Sequence, residues 1–354
     1  MVVRRRDLFL LPLAATVAKL HAADSAIRLG YDTYSLRDWG WTAFQHIDFA
    51  AQHKLDTIQI SSFSDQIPSD PKDLRKIRDA AHEKGITLEY AAACICPTSK
   101  SYEAKNGAAV DYLANSLRIA HALGARTLAS SLGNIDDRYD GKGIEFHIES
   151  TIKVLKAARS LAMDLDVKIA VENHSGDMQA WELKELIEAA GKDYVGAVLD
   201  TGNPIWVVEH PEVTMEVLGP YASTTHCRDT VLWEHPRGCA AQWTALGEGN
   251  IDMVRIAALH KQLCPRTPLL LEIITGRVPR VVPYRESAFW KGFPKARAAE
   301  FARFLKLVKQ GGPLMTPMVI LSGNREVPEY RGALKRQQLV DLERSLEYAK
   351  RRMI

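Results

Sequence analysis

The sequence predicts an α/β fold, a (β/α)8 TIM barrel with a C-terminal helical extension, and three observations support this prediction. Eight short runs of apolar and β-branched residues occur between residues 27 and 273. The longer segments between them carry apolar residues at helical spacing, and strands that are separated by helices must lie parallel. Residues 27–310 also match the length of such a barrel, which is about 250 residues or more. A doubly wound open sheet is the alternative architecture.

The eight predicted strands are short segments rich in Val, Ile, Leu and Thr, the residue types that suit a buried pleated surface. In chain order they cover residues 27–31, 57–60, 86–90, 126–129, 167–171, 195–199, 223–226 and 269–273. Gly85 and Gly124 stand at the ends of predicted helices, where a glycine commonly terminates the helix before the next strand.

Helical spacing is clearest in two of the intervening segments. The first has apolar residues at i, i+4 and i+7, and the second has them at i, i+3, i+4 and i+7. They are Ile148, Ile152 and Leu155 in the first segment, and Phe301, Phe304, Leu305 and Val308 in the second. Each pattern predicts a helix that buries one apolar face against the strands.

Residues 311–354 follow the eighth unit and form the predicted extension, which contains one helix. Its apolar stripe is Leu339, Leu342 and Leu346 at i, i+3 and i+7. Such a stripe needs a partner, so we expect the helix to dock on the barrel or on another subunit of a homo-oligomer. A long insertion after the eighth strand, residues 277–294, is predicted to lie on the rim of the barrel.

Residues 1–23 have the order of an export signal: a basic head, a short apolar middle and a small-residue exit. The arginines of the head, Arg4 to Arg6, precede Asp7 as in bacterial twin-arginine signals. The apolar run is shorter than the roughly 20 residues that span a bilayer, which predicts no permanent membrane anchor. The sequence therefore predicts a periplasmic or otherwise exported protein. The alternative is a basic amphipathic helix that stays on the chain.

The overall charge argues against a nucleic-acid partner. The chain has 46 lysines and arginines against 43 aspartates and glutamates, and the excess lies within residues 1–23. The remainder is balanced and has no broad field that would attract a phosphate backbone. The five cysteines are an odd number without regular spacing, which predicts buried small side chains rather than a disulfide framework.

Four consecutive predicted strands end in a residue that can bind a metal. The four residues are Glu172, Asp200, His226 and Glu272. In a barrel the carboxyl ends of the strands converge on one pocket, so these side chains are expected to surround one divalent cation. Three carboxylates and one imidazole suit Mn²⁺ first, with Mg²⁺, Co²⁺ and Zn²⁺ as alternatives. Any one of them taken singly is as well explained by helix capping or an ion pair.

The strand-end motifs resemble those of the xylose isomerase-like TIM barrel superfamily, which includes the sugar phosphate isomerase/epimerase family. The resemblance rests on Val-Glu-Asn-His at 171–174, Leu-Asp-Thr-Gly-Asn at 199–203, His-Cys-Arg-Asp at 226–229, Leu-Gly-Glu-Gly-Asn-Ile-Asp at 246–252 and Leu-Glu-Ile at 271–273. It implies that the four strand-end residues are the metal ligands. It also implies that Glu172 and Glu272 are catalytic and move protons at the carbon next to a carbonyl.

Five further residues are candidates for binding a small carbohydrate substrate. His174 follows Glu172 at the same strand phase, and a hydrogen bond within the core is its alternative role. Arg228 is expected in the pocket, with a pairing to Asp229 or Glu248 as its alternative. Asn203 occupies a position where related epimerases often have a histidine, a departure that weakens any specific epimerase assignment. The remaining two, placed as an aromatic wall with scaffold packing as the alternative, are Trp39 and Trp41.

The resulting functional prediction is an exported, metal-dependent sugar or polyol isomerase or epimerase that works through an enediolate. The main alternative is a lyase or hydrolase of oxidised (3-keto) glycosides, because that reaction also begins with removal of a proton next to a carbonyl. Less favoured are a non-catalytic carbohydrate-binding barrel and an enzyme similar to endonuclease IV. The latter requires a multi-zinc site with more histidines and a basic face.

Overall fold

Two sheets form the framework of the chain in the computed structural model, which describes residues 27–62, 67–320 and 328–354. Eight strands form the barrel: β1 (Leu29–Asp32), β2 (Thr57–Ser61), β3 (Thr87–Cys94), β4 (Thr127–Ser131), β5 (Lys168–Glu172), β6 (Val195–Asp200), β7 (Ala222–His226) and β10 (Leu269–Leu271). Three strands form a smaller sheet: β8 (Asp229–His235), β9 (Gly238–Thr244) and β11 (Arg280–Val282). The predicted export signal, residues 1–23, lies outside the described residues.

The barrel strands are all parallel, and their order is β10-β1-β2-β3-β4-β5-β6-β7. A parallel bridge between Cys227 and Leu271 joins the two ends of this sheet. The backbone N–H of Cys227 donates to the carbonyl of Leu270 at 2.7 Å. The sheet is therefore a closed barrel and not an open doubly wound sheet, and each of the eight predicted runs overlaps an observed strand.

A helix follows each barrel strand or its loop; the first seven cover the outside of the barrel, and the eighth packs on the smaller sheet. The eight helices are α1 (Ala43–Gln52), α2 (Pro71–Glu83), α3 (Ala109–Ala122), α4 (Ile144–Asp164), α5 (Ala180–Ala190), α6 (Pro211–Leu218), α7 (Met253–Leu263) and α8 (Ala298–Gln310). Gly85 and Gly124 follow the ends of α2 and α3 with φ of +71° and +74°, a conformation that favours glycine, as predicted.

The smaller sheet was not predicted from the sequence. Strands β8 and β9 form an antiparallel hairpin with a two-residue turn, and β11 pairs antiparallel with β9. Their apolar side chains join α8 in a second hydrophobic core that contains Leu232, Cys239, Val282 and Phe304. Because β8 begins just after β7, this sheet covers one side of the open carboxyl end of the barrel.

The C-terminal extension docks on the barrel of the same chain through α9 (Pro328–Arg352). Leu342 and Leu346 are fully buried in the main core, and Leu339 packs against it. Polar contacts accompany this packing: the Trp39 indole donates to the Lys335 carbonyl at 2.8 Å, and Thr275 donates to Asp341 at 2.9 Å. The apolar stripe of the extension thus finds its partner within the chain. Among the described residues, no helix is long and apolar enough to cross a membrane.

Candidate functional site

The four predicted metal ligands meet at the carboxyl end of the barrel. Glu172, Asp200 and His226 are the last residues of β5, β6 and β7, and Glu272 directly follows β10. One ligand atom from each residue lies within 4.8 Å of every other, and all four side chains are buried. The arrangement follows from the topology, because parallel neighbouring strands deliver their last residues to the same end of the barrel.

His226 presents its Nδ1 atom to this cluster. Its Nε2 atom lies 2.7 Å from Oε1 of Gln59, whose own amide nitrogen donates to Glu89 at 3.1 Å. The Gln59 oxygen can only accept, so Nε2 carries a proton, and Nδ1 is the nitrogen that faces the carboxylates. Nδ1 lies 3.3 Å from Oε1 of Glu172 and 3.4 Å from Oε2 of Glu272, and it has no hydrogen-bond partner. A buried imidazole nitrogen oriented in this way fits a metal ligand.

Three buried carboxylates give the cluster a negative potential that shifts the pKa values of its members. Burial alone would lower the pKa of His226, but Glu272 and Glu172 raise it to about 10, so the imidazole is protonated on both nitrogens at neutral pH. A cation held at Nδ1 would replace the proton on that nitrogen. Burial raises the pKa of Asp200 to about 6, against the attraction of Arg228. Buried carboxylates require positive charge nearby, and a divalent cation held by these oxygens and Nδ1 would supply it. The donor set therefore fits a divalent metal.

Arg228 enters the cluster from the strand that carries His226. Its Nη2 atom donates a hydrogen bond to Asp200, forms an ion pair with Glu272 and lies 3.6 Å from Oε1 of Glu172. The alternative pairings with Asp229 and Glu248 are absent among the described residues. Gly202 is necessary for this approach, because a Cβ atom there would collide with the Arg228 side chain. The guanidinium also stacks over the ring of Trp243, 4.9 Å from its centroid.

Asn203 and His174 lie beside the cluster, and hydrogen bonds fix the orientations of both side chains. The Asn203 side-chain amide donates to Oε1 of Glu172 at 3.0 Å, and its backbone N–H donates to Asp200 at 2.6 Å. Nδ1 of His174 lies 2.6 Å from the carbonyl of Gly133, which assigns the proton to Nδ1 and leaves Nε2 free to accept. Asn203 therefore positions one ligand, whereas His174 offers a polar atom to the cavity wall.

Two adjoining cavities lie above the cluster. The first, the reaction chamber, has a volume of about 250 Å³ and is lined by Glu172, His226 and Glu272 together with small side chains such as Ala91 and Ala129. The second, the side chamber, has a volume of about 330 Å³ and is lined by Asn203, Arg228, Trp243, Glu272, Ile274, Arg277, Val278 and Arg280, among others. Tyr34, His174 and Glu272 line both chambers, so a ligand can extend from one into the other.

The structure places Trp39 and Trp41 outside both chambers, which corrects the expectation of an aromatic wall for the substrate. The two rings pack against each other with centroids 5.2 Å apart, and Trp41 also contacts Phe49 of α1. The Trp39 indole donates to α9, as described above. These tryptophans join the first loop to the extension, because α9 docks on the side of the loop that faces away from the barrel mouth.

Three residues of the site were missed from the sequence. Gln59 and Glu89 are buried polar residues inside β2 and β3. A polar residue within a strand of mixed composition does not by itself indicate a functional site. Trp243 lies in the unpredicted hairpin. Its segment, Cys-Ala-Ala-Gln-Trp-Thr at 239–244, alternates between polar and apolar residues only in its last three positions, which is too short a pattern to predict a strand.

Structural comparisons place this chain among barrels of known fold. It resembles D-psicose 3-epimerase with D-tagatose from Clostridium cellulolyticum H10, with a TM-score of 0.57, 15% identity and coverage of 90% of this chain and 98% of the other. It resembles the IOLI protein with a bound zinc atom, with a TM-score of 0.57, 15% identity and coverage of 79% and 96%. It also resembles the probable 3-DHS dehydratase AsbF from Bacillus anthracis, with a TM-score of 0.54, 11% identity and coverage of 80% and 100%.

Sequence comparison identifies the family directly. A search of curated proteins finds no match to the chain. The family profile described as xylose isomerase-like TIM barrel matches residues 47–293, which is more than half of the chain and includes the strand ends of the site. The closed barrel with its cluster of strand-end carboxylates and imidazole agrees with that match. The chain therefore belongs to the xylose isomerase-like TIM barrel family.

Proposed function

We propose that the chain is a metal-dependent enzyme that removes a proton from the carbon next to a sugar carbonyl, and that it is a sugar or polyol isomerase or epimerase. The observation that carries this proposal is the meeting of two glutamates, Glu172 and Glu272, with His226 on the wall of one chamber, and with Asp200 beside them in the same buried cluster. Strands β5 and β10 lie three positions apart in the eight-stranded ring, so the two glutamates approach the chamber from different sides. Epimerisation requires two proton-transfer groups placed in this way.

Glu172, Asp200, His226 and Glu272 would hold one divalent cation, with Mn²⁺ as our first choice and Mg²⁺, Co²⁺ and Zn²⁺ as alternatives. When bound, the cation supplies Lewis-acid polarisation of substrate carbonyl and hydroxyl oxygens. The zinc atom in the structurally similar IOLI protein supports metal binding by a barrel of this fold.

The two glutamates of the cluster and the side chains beside them each have a proposed role in proton transfer. We assign Glu172 and Glu272 as the base and the acid, one removing the proton and the other returning a proton to the opposite face. Asn203 holds Oε1 of Glu172 by its amide, which fixes the orientation of that carboxylate. Arg228 lines the side chamber as a donor for substrate oxygens, and His174 lines both chambers.

The second candidate is a lyase or hydrolase of oxidised (3-keto) glycosides. The side chamber favours it, because a cavity that shares Glu272 with the reaction chamber can accommodate a leaving group. The structural similarity to a probable dehydratase is consistent with elimination on this fold. Both candidates begin with the same proton removal, and they differ in whether the enediolate is reprotonated or expels a neighbouring oxygen.

Turnover in deuterium oxide tests the shared step. Protein loaded with Mn²⁺ would be incubated with a panel of keto sugars and 3-keto glycosides, and the products would be examined by NMR. We expect deuterium at the carbon next to the carbonyl, with an epimer or isomer for the first candidate and a released aglycone for the second. Complete turnover without label would contradict proton transfer and indicate a hydride shift.

The roles of the two glutamates need variants whose metal content is known. Glu172→Gln and Glu272→Gln remove a proton-transfer group, but each residue is also a proposed ligand. Metal content is therefore measured first, and only metal-replete variants are compared with wild type. Loss of solvent exchange in a metal-replete variant supports the base role, whereas unchanged exchange in both variants contradicts it.

Export of the protein is a separate part of the proposal. It rests on the sequence pattern of residues 1–23, the basic head followed by a short apolar run and Ala22-Ala23. N-terminal sequencing of the protein from its native host is expected to find a start near Ala23 or Asp24. A start at Met1 or Val2 would contradict export by cleavage.

A further inference from the structure

We propose that the side chamber binds an acidic group of the substrate, a carboxylate or a phosphate, between Arg277 and Arg280. The substrate would then be an acidic carbohydrate or an acidic glycoside. This inference rests on the proposed function and adds to it a recognition site next to the reacting atoms. It depends on the charge, the stacking and the continuity of the chamber walls.

The first observation is unpaired positive charge. Arg277 and Arg280 both line the side chamber, and neither has an ion-pair partner among the described residues. Asp136 attracts Arg280 from beyond contact distance, and the carboxylate of Glu272 at the chamber wall already bonds to Arg228. Behind Arg277 stands a third guanidinium, that of Arg37, which donates to the carbonyl of Thr275 at 2.6 Å. The mouth of the chamber therefore carries a net positive charge.

The second observation is a stack of rings and guanidinium groups that holds this charge in place. Arg280 lies over the ring of Trp206 at 4.7 Å, and Trp206 meets Trp243 edge to face with centroids 5.3 Å apart. Trp243 in turn carries Arg228 on its ring. The stack runs from the proposed metal ligands to the rim. The stacking on Trp206 orients the side chain of Arg280, which would otherwise be exposed and free to move. Because the guanidinium is rigid and planar, this ordering costs little side-chain entropy.

The size and continuity of the cavities connect this charge to the reaction. The side chamber shares Tyr34, His174 and Glu272 with the reaction chamber, so a substrate whose reacting carbons lie at the cluster extends toward Arg277 and Arg280. A neutral sugar would leave these two cations without a counter-charge. The planar fork of a guanidinium matches the paired oxygens of a carboxylate or a phosphate.

Isothermal titration calorimetry with three probes tests the proposal: D-glucuronate, D-glucose 6-phosphate and neutral D-glucose. The proteins are wild type, Arg277→Ala, Arg280→Ala and Arg277→Lys, all loaded with Mn²⁺. The control is Arg126→Ala, an exposed arginine at the opposite end of the barrel that pairs with Asp166. We expect at least one acid to bind wild type about tenfold or more tightly than D-glucose. The acid that does so distinguishes a carboxylate from a phosphate.

The variants decide where that preference originates. We expect each alanine variant to lose most of the preference for the acid, Arg277→Lys to retain part of it, and Arg126→Ala to retain all of it. Equal affinity for the three probes, no binding of either acid, or an unchanged preference in both alanine variants would overturn the proposal. Failure of the proposed function is recognised separately, because it appears as absent metal binding, or as absent solvent exchange with acidic as well as neutral keto sugars.

Discussion

Oε1 of Gln59 lies 2.7 Å from Nε2 of His226, and this contact determines which imidazole nitrogen faces the three carboxylates. Gln59 is itself held by Glu89, so the orientation of His226 depends on two strands, β2 and β3, that contribute no ligand. Partners behind a metal ligand commonly tune the affinity of the site as strongly as a change of ligand geometry does.

Replacement of Gln59 by leucine is expected to weaken Mn²⁺ binding by about 10- to 100-fold, because the imidazole loses the acceptor that fixes its proton on Nε2. The measurement is calorimetric titration of chelator-treated protein. Gln179→Leu is the matched control, since Gln179 is a buried glutamine that bonds to the carbonyl of Val207 away from the cluster. Wild-type affinity in Gln59→Leu would show that the contact does not orient a ligand.

His226→Ala is expected to abolish metal binding. The effect of a chelator on the melting temperature should then differ between wild type and this variant. A cation that binds only the folded state stabilises it by mass action, so EDTA should lower the melting temperature of wild type. The same chelator should leave the melting temperature of His226→Ala unchanged. Elemental analysis of purified, active wild type that finds no metal would contradict the prediction independently of stability.

Leu342→Ala in α9 is expected to lower the free energy of unfolding by about 2–5 kcal/mol, because it creates a cavity between the extension and the barrel. Val340→Ala is the matched control, since Val340 is 46% exposed on the same helix and Leu342 is fully buried. Urea unfolding measures both. Removal of the chain after Gly312 should cost more than the point variant. An equal, small effect of both substitutions would mean that the extension is not anchored by its apolar stripe.

The buried carboxyl of Glu209 provides a test of pH dependence away from the metal cluster. It accepts hydrogen bonds from Thr214 and from the backbone of Ala180, and burial raises its pKa to about 7. In the unfolded chain the group ionises near its usual pKa of about 4.5, so its contribution to stability is present at low pH and is lost as pH rises from about 4.5 to 7.

Glu209→Gln should remove this loss. Relative to wild type, its free energy of unfolding is expected to improve by roughly 2–3 kcal/mol between pH 4 and pH 8. Denaturant unfolding of both proteins across this range gives the difference, in which other titrating groups cancel. A difference that does not vary with pH would show that Glu209 ionises normally in the folded protein.

The barrel was predictable from the sequence because its signal is repeated. Each barrel strand is a short apolar run followed by a helix, and eight repetitions leave little choice of architecture. The meeting of the four candidate ligands was predictable for a related reason: a charged residue directly after an apolar run, as at Glu172 or Asp200, is expected at a strand end. Parallel strands bring such ends together without any need to know loop structure.

What the sequence did not reveal depends on contacts between distant segments. The sequence around Trp39 and Trp41 does not indicate whether their rings face the barrel mouth. Their position depends on packing with α9, which is about 300 positions away in the chain. Gln59 looks like an ordinary polar residue in a strand until His226 is placed beside it. The β8–β9 hairpin is stabilised mainly by a hydrophobic core that it shares with α8. The local pattern of apolar residues does not indicate such a contact with a distant helix.

The extension also has a mechanical consequence for the barrel. Strands β7 and β10 are joined by a single bridge, so this seam is where the ring has the fewest backbone hydrogen bonds among the described strands. Helix α9 contacts the loop after β1 through Asp38, the segment after β10 through Thr275, and the turn after β9 through Leu246. Helix α9 thus connects the two sides of the seam between β7 and β10. Slow amide hydrogen exchange in these two strands should therefore depend on α9, although this helix is not part of the barrel sheet.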